Sequence, residues 1–137
     1  MKDVKWELQQ AYYTLLTDAG LTVYERDGTP SEPEFPYVEL SDITEIDDSD
    51  KSSFGSEVTY LLIIRDRVTS RGSKQTILSV LNTVKQTIRA RPVPFNITGW
   101  NVISSVVDSE STLPKILEET YTYFGHQIRF RHTIQQQ

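Results

Sequence analysis

The sequence predicts an α+β fold: one domain over residues 1–137, with two helices laid on one face of an antiparallel or mixed sheet, in the order α-β-β-β-α-β-β. Two periodicities carry this. Apolar residues recur at helical spacing in two segments, and five other segments alternate or run apolar as strands do. Most of the links between strands are short, which favours neighbouring strands running antiparallel.

The first helix is predicted from Asp3 to Ala19. Val4, Leu8, Ala11, Tyr12, Leu15 and Leu16 form one stripe, Asp3 is placed as N-cap, and Gly20 is placed as the left-handed residue that ends the helix. A short strand follows at 21–26, then a turn-rich loop holding three prolines at 27–36. The next strand spans Tyr37 to Ile46. Val38 and Leu40 share a face that Ile43 and Ile46 do not, which predicts a bulge near Ser41–Asp42. After the polar stretch 47–56, residues 57–68 form the strongest strand, apolar on both faces at Leu61–Ile64 and so central in its sheet.

Ser73 is placed to cap a second helix running to about Ala90. Ile77, Leu81, Val84 and Ile88 lie on one face, flanked by Leu78 and Val80, and Arg91-Pro92-Val93-Pro94 ends it. Two strands close the chain at 100–108 and 119–134, joined by a loop carrying Pro114. Gly125 reads as a kink or bulge and the final glutamines as a frayed end.

Composition narrows the function. Fourteen basic against nineteen acidic residues give a net charge of −5, which disfavours a partner gripped through its phosphates. There is no cysteine, hence no disulfide, thiolate nucleophile or thiolate metal site. No run nears the ~20 apolar residues that span a bilayer, and the polar N-terminal stretch does not read as a signal peptide. Glycine-loop phosphate motifs and a G-x-S-x-G elbow are absent.

His126 and His132 fall on one face of the last strand and read as solvent-facing or interfacial side chains with no third metal ligand. Counting an EF-hand from Asp48 puts Ser53 where glycine is required and Thr59 where a bidentate glutamate is required, so the acidic run reads as a solvated loop. No catalytic residue, metal or cofactor is expected. The chain reads as a non-enzyme that assembles with copies of itself and docks to other proteins.

Three features support that reading. Trp6 and Tyr13 are seven residues apart on the first helix and point opposite to its core stripe, at ~100° per residue. Tyr121, Tyr123, Arg129 and Arg131 on the last strand form an aromatic-and-arginine set of the kind that interfaces favour. These six residues are the expected self-association surface. Asp47, Asp48, Asp50 and Phe54 are the expected partner-docking loop, with Phe54 as an apolar anchor in a polar tether.

With these elements placed, the chain resembles the tail-completion or tail-terminator proteins of long-tailed bacteriophages. A short first helix leads through a Pro-containing loop to Phe35-Pro36-Tyr37-Val38-Glu39-Leu40. An acidic, glycine-bearing loop then enters Glu57-Val58-Thr59-Tyr60-Leu61-Leu62-Ile63-Ile64. Ser70-Arg71-Gly72-Ser73-Lys74 starts an I-x-x-x-L-x-x-V-x-x-x-I helix, and the last strand ends Ile128-Arg129-Phe130-Arg131. The pattern departs at Arg65-Asp66-Arg67, where such proteins often carry an aromatic.

The resemblance implies a homo-oligomeric ring, sixfold, that caps the tail tube and meets a head-connector protein in the virion, with DNA passing through its lumen unbound. Assembly would take place in the cytoplasm of a host bacterium. A second reading is a small-molecule or peptide-binding α+β module of a bacterial host. A hydrolase would need a pocket holding perturbed titrating groups.

Overall fold

A computed structural model describes residues 3–47, 55–69, 72–88 and 97–136. Helix α1 (Lys5–Asp18) is followed by β1 (Val23–Glu25), a 3-10 turn, β2 (Tyr37–Asp47), β3 (Gly55–Thr69), α2 (Gln75–Ile88), β4 (Trp100–Leu117) and β5 (Tyr121–Gln136). The strands form one mixed sheet in the order β1-β2-β3-β5-β4. The single parallel pairing among them is β1 with β2; the others are antiparallel.

Both helices cover the same face. Val4, Leu8, Tyr12 and Leu16 of α1 and Ile77, Leu81, Val84 and Ile88 of α2 pack onto Val38, Val58, Tyr60, Leu62, Ile64, Ile128 and Phe130. The predicted stripe of α1 is the buried one, because side chains four apart stack along one side of a helix. Gly20 ends α1 with φ 88°: its N–H donates to the Thr17 carbonyl at 3.0 Å and the Leu21 N–H to that of Leu16 at 3.1 Å. That pair of bonds satisfies carbonyls the helix leaves open.

Several expectations need correction. Val4, not Asp3, occupies the N-cap, although the Asp3 carboxylate accepts from the Lys5 N–H at 2.9 Å. In α2, Val80 joins the core while Leu78 is exposed, and Ser73 Oγ accepts from the Gln75 N–H at 3.3 Å. The predicted helix stop at 91–94 lies outside the described residues.

The largest difference is at β4. The stretch expected as a loop carrying Pro114 is strand as far as Leu117. Pro114 is tolerated because β4 is an edge strand and a register shift falls between Leu113 and Ile116, where no ladder donor is needed.

The bulge expected near Ser41–Asp42 is present, between Leu40 and Asp42. The one expected at Gly125 is not. β5 keeps unbroken register with β3, and the shifts belong to β4. Gly125 instead makes room for Leu113 of β4, whose Cδ1 would lie 2.9 Å from a Cβ at that position. Gln135 and Gln136, expected to fray, lie in β5.

Register sorts every strand residue to a face. Even-numbered positions of β3 and β5 point to the helices; odd-numbered positions point to the helix-free face. On that second face Leu61 and Ile63 are half-buried, so the apolar run at the centre of β3 is fully covered on one side only.

Candidate assembly surfaces

The first surface lies on α1. Trp6 is 62% exposed and Tyr13 48%, the rotation that buries Leu8 and Leu16 having turned both outward. They line a shallow groove of about 280 Å³ together with Gln9, Gln10, Thr14 and Glu25. The floor is tied to the sheet edge by Gln9, whose Nε2 donates to Glu25 Oε1 at 2.6 Å.

The second surface is the helix-free face of the sheet, where Tyr121, Tyr123, Arg129 and Arg131 all point. The structure divides this set in two. Arg129 donates to Thr59 Oγ1 at 2.8 Å, and Arg131 lies 3.4 Å from Glu57 and 3.5 Å from Asp108, so both arginines are engaged within the chain. The tyrosines sit at the opposite end, in a row of rings that runs from β1 across β2 and β3 to β5.

In that row Tyr24 and Tyr37 are 5.3 Å apart, Tyr37 and Phe35 5.3 Å, Phe35 and Tyr123 6.0 Å, and Tyr123 and Tyr121 6.5 Å. These separations lie in the range where aromatic rings attract one another. The guanidinium of Arg67 lies 4.5 Å from the Tyr121 ring centre and 4.9 Å from that of Phe35. Beside it a pocket of about 250 Å³ opens between Phe35, Tyr37, Arg65, Asp66, Ile116, Tyr123 and Phe124.

Among the described residues neither Arg65 nor Arg67 has an ion-pair partner. Asp66 is 3% exposed; its Oδ1 accepts from the Arg67 N–H at 2.8 Å while Oδ2 has no hydrogen-bond partner. Burial pushes its carboxyl above the usual range.

Sequence reading missed Tyr24, Phe35, Tyr37, Arg65 and Arg67 as parts of this surface. The signal was present in the alternation of β3, which puts Arg65 and Arg67 on the face of Tyr121 and Tyr123. It needed the strand register, Arg67 opposite Tyr123, to be legible.

The histidines are not solvent-facing. His132 is fully buried, hydrogen-bonded through Nε2 to the Tyr12 hydroxyl and through Nδ1 to Ser105 Oγ at 2.8 Å. His126 is 8% exposed, with Nδ1 3.4 Å from Thr112 Oγ1 and Nε2 3.9 Å from Glu110 Oε1. Both belong to the helix-covered core, and burial lowers the pKa of each, that of His132 to about 3. Among the described residues no three potential metal ligands gather.

Of the docking-loop residues, Asp47 contributes its backbone to the end of β2, and Asp48, Asp50 and Phe54 lie outside the described residues.

The same fold occurs in a gene transfer agent virion. A chain of the virion of a native gene transfer agent particle superposes with a TM-score of 0.74, over 98% of this chain and 99% of that one, at 15% sequence identity. At that identity the likeness is one of fold. No protein-family model matches the sequence, and no curated protein does. Among the described residues no helix is long and apolar enough to cross a membrane.

Proposed function

We propose that this chain is a structural virion protein of the bacteriophage tail-terminator kind: it assembles into a ring that caps the tail tube and joins it to the head connector. The observation that carries the reading is the near end-to-end fold likeness to a chain of a gene transfer agent virion. The tail-completion layout of the sequence supports it independently. So do two outward-facing aromatic surfaces, one on each layer of the molecule, which suit a protein that contacts neighbours on both sides.

In this role the chain performs no chemistry. Trp6 and Tyr13 on one side and the Tyr121–Tyr123 end of the sheet on the other mediate self-association. Residues 47–54 dock to the tail tube protein or the head connector. DNA crosses the lumen without specific binding, in keeping with a net charge of −5. The protein is assembled in the cytoplasm of a bacterial host and ends at the head–tail junction of the particle.

Electron microscopy of the purified protein, alone and mixed with tail tubes that lack a terminator, tests this. Rings, or caps at one end of each tube, are expected. A protein that stays monomeric and leaves the tubes bare overturns the assignment.

A further inference from the structure

Resting on that assembly reading, we infer that the two aromatic surfaces are halves of one interface: Trp6 on α1 of one copy seats in the Phe35–Tyr37–Tyr123 pocket on the helix-free face of the next. Each half is incomplete within a single chain. Trp6, 62% exposed, is the more exposed of the two outward-facing aromatics on α1. The pocket, about 250 Å³ and walled by the rings of Phe35, Tyr37 and Tyr123 with Ile116 beside them, has the size and chemistry for one aromatic side chain.

Charge points to a second copy as the occupant. Arg65 and Arg67 border the pocket without an ion-pair partner among the described residues. Glu25 lies in the groove of Trp6, its carboxylate engaged by the neutral amide of Gln9 and by no cation among the described residues. Seating Trp6 brings a carboxylate towards two unpaired guanidiniums. A polyanionic strand fits less well, because two arginines neutralise few phosphates.

The placement of the halves also decides the kind of assembly. One lies on the helix layer and the other on the opposite face of the sheet, so a contact between them leaves a free half at each end. Such a head-to-tail contact repeats from copy to copy and forms a ring where its rotation closes.

Complementation tests this directly. Trp6→Ser removes the insert and Tyr123→Ala with Arg67→Glu removes the receptor; circular dichroism checks that each variant is folded. Each variant alone is expected to have an assembly concentration raised roughly tenfold or more, as for loss of an interface anchor. An equal mixture of the two is expected to give a species of twice the 15.8 kDa chain mass in light scattering, through the one interface left intact.

If Trp6→Ser assembles as the wild type does, or if the mixture stays monomeric, the inference is overturned while the ring reading stands. A monomeric wild type overturns both. Arg67→Glu used singly, exposed and outside the core, guards against a receptor variant that fails to fold. Loss of binding to a single-stranded oligonucleotide in Arg67→Glu, with assembly unchanged, would assign the face to nucleic acid and overturn the inference.

Discussion

The Tyr12 hydroxyl on α1 and Nε2 of His132 on β5 are hydrogen-bonded inside the core, 120 residues apart in sequence. The other ring nitrogen of His132 meets Ser105 of β4 at 2.8 Å. One imidazole thereby joins the first helix to the last two strands. Removing the hydroxyl leaves a fully buried nitrogen short of its partner, a cost of about 1–3 kcal/mol. Tyr12→Phe is expected to lower the unfolding free energy by that amount in urea titrations, with m unchanged.

The same histidine makes stability fall in acid. Burial lowers its pKa from the ordinary 6.5 to about 3, so the folded protein holds it neutral where the unfolded chain takes up a proton. Its contribution is complete above about pH 6.5 and is lost progressively as pH falls towards about 3. His126, also lowered by burial, acts in the same direction. His132→Gln is expected to be less stable at neutral pH but to have a shallower pH dependence between those limits. An unchanged slope would show that carboxylates alone set the acid limit.

Gly125 tests the close approach of β4 and β5. A methyl there meets Leu113 Cδ1 at 2.9 Å and its Cβ at 3.2 Å. Gly125→Ala is expected to cost less than a larger side chain, since rotation of Leu113 relieves the contact with Cδ1 and leaves only that with Cβ. Gly125→Val crowds the ladder itself and is expected to cost about 1–3 kcal/mol. Thermal unfolding of the two variants side by side measures the difference.

Replacing residues 48–54 with a Gly-Ser linker is expected to leave folding and self-association intact and to abolish head–tail joining in a reconstitution assay. Joining at the wild-type level would remove the docking role from Asp48, Asp50 and Phe54. An unfolded variant would place Phe54 in the core.

Much of the fold was legible because helices and strands write different periods into the sequence. The α1 stripe, the Gly20 terminus and the bulge after Leu40 follow from spacing alone. Pro114 misled because a proline argues against a strand except on an edge, and which strand lies at the edge is a property of the whole sheet. The histidines misled for a related reason. A polar residue at a core-facing position is stable only if partners such as Tyr12 and Ser105 arrive from other elements, and no local pattern announces them.

The surfaces divide in the same way. Trp6 and Tyr13 were legible, since helical rotation alone turns them from the core. The ring row from Tyr24 to Tyr121 was not, because it joins three strands that are far apart in the chain.

The order of strands in the sheet sets an order of events during synthesis. β5 lies between β3 and β4, so the sheet cannot close until residues 121–136 have left the ribosome. Until then β3, the most apolar strand, offers a bare edge carrying Leu62 and Ile64, and β4 has no strand to pair with. A nascent chain in this state is exposed to edge-to-edge pairing with its neighbours on the same message. The insertion of β5 between β3 and β4 is therefore the step that leaves β3 with no unpaired edge.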